Sequence, residues 1–182
     1  EGHTMLLVID KFKTKYGLDQ LVVIADSGLL SADNIIQLQQ KGYEFIIGAR
    51  IKNEQEKIKQ KILALHLGNG ESQVIAKGNL KLIITYSQDR AKKDKYNREK
   101  AIRKLEKRIK SGRLTKSSIN NRGYNKFLKL EGQINVAFDL QKIEEDKKWD
   151  GLKGYLSNAR LNKNQIIENY QHLWQIEKAF RI

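Results

Sequence analysis

Residues 21–49, LVVIADSGLLSADNIIQLQQKGYEFIIGA, decide the fold. The run 21–25 is continuously apolar and β-branched, the mark of a strand buried on both faces, and it stops at Asp26. Ser31 is a candidate N-cap for a helix over 31–42, and Gly42 closes it. Residues 43–49 form a second buried apolar run. Strand, short helix and strand make a βαβ unit, so two parallel strands with a right-handed crossover are expected.

Upstream, Leu6, Leu7, Ile9, Phe12 and Tyr16 recur at near-helical spacing, and Gly17 ends that helix. Downstream of Arg50 the character changes. A polar helical stretch, NEQEKIKQK, leads into two strand-like runs around Gly78 and Asn79, which read as a hairpin. Residues 91–116 carry twelve Lys/Arg against three Asp/Glu, and Ile102, Leu105 and Ile109 mark a helical stripe within them. Strands are expected at 124–132, 134–140 and within 148–158, and a last helix over 163–180. The fold class is therefore α/β, with a mostly antiparallel, basic middle inserted in an α/β frame.

The chain has 182 residues and a formal net charge of +14. That charge favours an anionic partner such as nucleic acid, an acidic protein or a membrane surface. Cysteine is absent, which excludes disulfides and thiolate metal sites. His3, His66 and His172 lie far apart, without the spacing of a zinc site. No apolar run is long enough to span a bilayer and no signal peptide is visible, so a cytoplasmic protein without membrane partners is expected.

Two carboxylates stand out. Asp26 follows a strand, where open α/β sheets form their sites, although ADSG also reads as a turn whose aspartate bonds the next amides. Glu177 shares a helical side with Ile166, Tyr170, Leu173 and Phe180. A carboxylate on the packing side of a helix needs a partner or a metal; an i,i+4 pair with Arg181 is the plainer alternative. Two such carboxylates can hold divalent cations for phosphoryl transfer, and a basic insertion can contact phosphates.

At this point the chain resembles a family. LVVIADSGLLSADNIIQLQQKGYEFIIGARIK (21–52) is similar to the second-aspartate region of insertion-sequence transposases of the DDE class. YSQDRAKKDKYNREKAIRKLEKRI (86–109) and KWDGLKGYLSN (148–158) resemble the middle of the same group. The tail resembles the family's Tyr-Arg-Glu-Lys type signature, with Tyr170 and Glu177 on the Tyr and Glu, Leu173 at the Arg position, and the Lys position two residues beyond Ile182.

The resemblance implies a partial RNase H-like core with its first three strands missing and a β-rich, basic insertion. Residues 1–50 would be the first part of the catalytic core, 51–148 the insertion subdomain, and 149–182 the last core strand and helix. It implies a chain truncated at both ends and lacking the family's first catalytic aspartate, hence inactive alone in DNA cleavage and strand transfer. Asp26 and Glu177 would be catalytic ligands of Mg²⁺ or Mn²⁺. Arg50, Arg90, Lys92, Lys93, Arg98, Tyr170 and Arg181 would contact DNA, that is, transposon ends and target, in a bacterial, nucleoid-associated protein that is a possible homodimer when full length. Those cations also read as a solvated face, and Tyr170, Trp149 and Trp174 as core. The alternatives to a transposase are a non-catalytic basic nucleic-acid-binding protein and a basic structural protein such as a ribosome-associated one.

Overall fold

The computed structural model describes residues 2–26, 28, 31–131 and 135–179, without the side chains of 2–5, 32 and 174–179. The chain forms two compact units, one from residues 1–85 and 153–182 and the other from 86–152.

In the first unit the opening stretch folds as its pattern requires. Helix α1 (Gly2–Tyr16) is followed by β1 (Val22–Ala25), α2 (Ala32–Gln40) and β2 (Glu44–Ala49). Gly17 and Gly42 take positive φ where α1 and α2 end, a conformation that suits a residue without Cβ. Ser31 caps α2, its hydroxyl accepting from the amide of Asn34. Strands β1 and β2 are parallel, with Ala25 opposite Ile47.

Helix α3 (Glu56–Leu63), β3 (Ser72–Lys77) and β4 (Leu80–Tyr86) follow. The two-residue turn between β3 and β4 has positive φ at Gly78 and not at Asn79, the type II′ pattern that matches strand twist. Strand β7 (Leu152–Ser157) and helix α6 (Lys163–Ala179) complete the unit. The sheet order is β1-β2-β7-β4-β3, mixed, with β2 antiparallel to β7.

This changes the expected place of the hairpin at 72–86. It belongs to the main sheet rather than to an inserted subdomain. Leu82, Ile83 and Ile84 are fully buried in succession, so both faces of β4 need cover, which an isolated hairpin does not provide. The compact units accordingly divide after residues 85 and 152 rather than 50 and 148.

On one face of the sheet Ile46, Ile83 and Tyr155 form a core with Ile166 and Tyr170 of α6. Helix α6 is aimed by the segment before it. The Asn158 side chain accepts from the Phe45 amide at 2.8 Å and donates to the Tyr43 carbonyl at 3.0 Å. Lys81 donates to the carbonyls of Ala159 and Leu161, both at 3.0 Å. Asn162 and Gln165 then exchange side-chain-to-amide hydrogen bonds, a reciprocal cap that satisfies two donors at the start of α6. Helix α1 departs from its expected stripe: Leu6 is buried, but Leu7, Phe12 and Tyr16 are exposed.

The second unit is mainly helical, not β-rich. Helix α4 (Gln88–Lys110), capped by Ser87, is its longest element. A 3-10 turn over Gly123–Phe127 precedes a two-stranded hairpin of β5 (Leu128–Glu131) and β6 (Asn135–Phe138). The strands expected at 124–132 and 134–140 are therefore each shortened. Asp139 then starts α5 (Leu140–Lys147), accepting from the Lys142 amide; no helix was expected there. Among the described residues of this unit, Leu105, Phe127, Leu128 and Ile143 are the buried large apolar side chains.

Candidate functional site

Strands β1 and β2 run parallel, so their carboxyl ends share one edge of the sheet. Asp26 leaves β1 at that edge and Arg50 leaves β2 there, both exposed. In an α/β sheet this is the edge where ligands gather.

Helix α6 reaches Asp26 through Tyr170. The tyrosine ring is buried at 9% exposure, and its hydroxyl donates to Asp26 Oδ1 at 3.4 Å, a long hydrogen bond. Tyr155 of β7 meets the Tyr170 ring edge-on, with centroids 4.9 Å apart. Lys153, two residues before Tyr155 and so on the same face of β7, sets its ammonium over both rings, 5.1 Å from the Tyr155 centroid and 4.7 Å from that of Tyr170. Ring faces carry negative potential, so this arrangement holds a cation beside the tyrosine that bonds Asp26. Lys153 and Tyr155 were not singled out from sequence, although the strand expected within 148–158 contains them.

Glu177 lies on the α6 backbone two turns beyond Tyr170, but its side chain falls outside the described residues, as does that of Trp174. Whether it faces Asp26 is thus outside the description, and Arg181 is outside it altogether. The residues of the expected packing side that are described behave as expected: Ile166 and Tyr170 are buried and Leu173 packs against them. Among the described residues no group of three or more His, Asp or Glu side chains could hold a metal ion. Asp26 offers one carboxylate, and Mg²⁺ is commonly held by one or two carboxylates together with waters.

The candidate DNA contacts separate into two kinds. Lys93 is exposed and has no ion-pair partner among the described residues. Arg90 and Lys92 are exposed and lie 3.7 Å from Asp94 and Asp89, loose pairs that leave them accessible. These three sit in the first turns of α4, whose sequence carries a net charge of +7.

Arg98 is different, and its assignment to DNA is corrected. It is buried, at 3% exposure, with its guanidinium bonded to both Asp150 oxygens at 2.5 and 2.6 Å. Asp146 lies 3.7 Å away and takes Lys126 at 2.7 Å. A guanidinium this buried, paired with Asp150 and close to Asp146 inside the second unit, is not open to a phosphate. Hydrogen bonding to Asp150 raises its pKa further, so it remains charged. The one-dimensional charge run hid this, because Asp146 and Asp150 are distant in sequence.

No protein-family profile, curated protein or solved structure matches this chain. Among the described residues no helix is long and apolar enough to cross a membrane.

Proposed function

We propose that the chain is part of the RNase H-like core of a DDE-class insertion-sequence transposase, whose substrate is DNA ends and which is inactive alone. The observation that carries this reading is the hydrogen bond from Tyr170 to Asp26. It ties the tail of the proposed signature to the strand end of the proposed second aspartate, across 144 residues of sequence. In this reading Asp26 and Glu177 together supply a divalent-cation site for Mg²⁺ or Mn²⁺. Tyr170 orients Asp26, and Arg50 serves phosphates at the same sheet edge. Arg90, Lys92 and Lys93 serve phosphates from the second unit.

A second reading, a non-catalytic nucleic-acid-binding protein, is favoured by the basic surface of α4, which requires no carboxylate site. Metal binding separates the two. Mn²⁺ titration followed by electron paramagnetic resonance is expected to give a bound ion in the unmodified chain and to lose it in Asp26→Asn and in Glu177→Gln. Binding that survives both substitutions, or no binding in the unmodified chain, would remove the transposase reading and leave the second.

A further inference from the structure

The sheet face opposite α6 carries an open groove of about 820 Å³ in the first unit. Its floor is Ile47 and Ala49 of β2 and Leu156 of β7, and its walls include Ile35 of α2 and Ile58 of α3. Arg50, Lys57 and Lys61 also line it. All three are exposed, and none has an ion-pair partner among the described residues. Lys77 lines it too, but Glu54 neutralises it, taking its ammonium at 2.7 and 2.8 Å. The groove therefore combines an apolar floor, bordered by the polar side chains of Ser31, Asn53 and Gln55, with three positive charges that have no ion-pair partner among the described residues.

We infer that this groove docks an acidic amphipathic helix of a protein partner. Both features find a use in that occupant: its apolar stripe covers the floor and walls, and its carboxylates meet Arg50, Lys57 and Lys61. Lys57 and Lys61 are one helical turn apart on α3, so they present charge at the repeat of a helix laid alongside. A duplex spanning the groove would use the cations and leave the apolar interior wet. Among the described residues no aromatic side chain lines the groove to stack an extruded base. The volume holds about six helical residues at a helix diameter of about 10–12 Å, nearly two turns, as expected when only the apolar side of a longer helix sinks in. The inference shares Arg50 with the DNA reading but does not rest on it, since Lys57, Lys61 and the apolar floor have no part in that reading.

The test is fluorescence anisotropy on the whole chain with two labelled peptides. One is a helix of about 18 residues with leucines at i, i+3, i+4 and i+7 and glutamates between; the other has the same composition scrambled. The patterned peptide is expected to bind at least about tenfold more tightly than the scrambled one. Lys57→Glu with Lys61→Glu, both exposed, and separately Ile58→Ser, are each expected to weaken it by about tenfold or more. Duplex DNA affinity of the charge-reversed chain should stay within about twofold of the parent. Equal binding of the two peptides would reduce the effect to net charge and overturn the inference. A charge reversal that weakens DNA as much as peptide would make the groove a nucleic-acid surface and overturn it. Light scattering that shows a dimer dissociated by the charge reversal would assign the groove to a second copy of the chain, which also overturns it.

Discussion

Replacing Arg98 by methionine should destabilise the second unit without touching DNA recognition directly. The substitution keeps much of the buried stem volume and deletes the guanidinium. Asp150 then loses both of its short bonds from Arg98, while Asp146 keeps Lys126. Removing one partner of a buried pair costs about 3–5 kcal/mol, because the remaining charge stays desolvated. Asp150 is 18% exposed at its side chain, so water recovers part of this and about 3 kcal/mol is expected. For a domain of this size that corresponds to a fall in Tm of roughly 12–24 °C. The assay is thermal unfolding together with amide hydrogen exchange, which should rise across 86–152. Adding Asp150→Leu to Arg98→Met should recover much of the loss, since it removes the stranded charge. A Tm within about 2 °C of the parent, with DNA affinity reduced as in lysine variants of α4, would refute the structural role and return Arg98 to the DNA surface.

Other consequences are as direct. Lys92→Ala with Lys93→Ala should leave Tm unchanged and lower the slope of log K against log salt by about 2, measured by anisotropy on duplex DNA; an unchanged slope would clear them of phosphate contact. Asp10 accepts from Lys41 and from the Tyr43 hydroxyl at 2.6 Å, with Lys13 nearby, and the Lys41 bond foremost holds its pKa below the usual carboxylate range. Its contribution is present above the unfolded carboxylate pKa and is lost as pH falls through the lower folded value. Asp10→Asn should flatten that part of the acid-unfolding curve, and a curve of identical shape would dismiss the clasp. Gly154→Ala would place a Cβ 2.3 Å from Ile51 Cγ2 and 3.2 Å from Ala49 Cβ, so it should cost about 1–3 kcal/mol in urea unfolding. A neutral result would mean that Ile51 moves aside freely.

By itself the sequence determined the elements whose signals are local. The apolar runs before Asp26 and Arg50 dictate two parallel strands, of which β2 is largely buried while β1, at the edge of the sheet, is only half-buried, and Ser31 with Gly42 bounds the helix between them. The apolar spacing of Ile166, Tyr170 and Leu173 gave the packing side of α6, since helical periodicity is a property of neighbours in the chain. It also marked Asp26 as a strand-end carboxylate and α4 as a basic helix. Tertiary structure alone decided which pieces meet. The order that sets β7 between β2 and β4, and draws the hairpin at 72–86 into the main sheet, depends on burial of both faces of β4 and β7. The same holds for the side chains. Arg98 differs from Lys93 only in where Asp150 arrives, from 52 residues away, and Lys153 joins Asp26 only because Tyr170 lies between them. Local spacing encodes dihedral preference and amphipathic side, whereas the use of a charge depends on its desolvation and its partner, and both are set by residues distant along the chain.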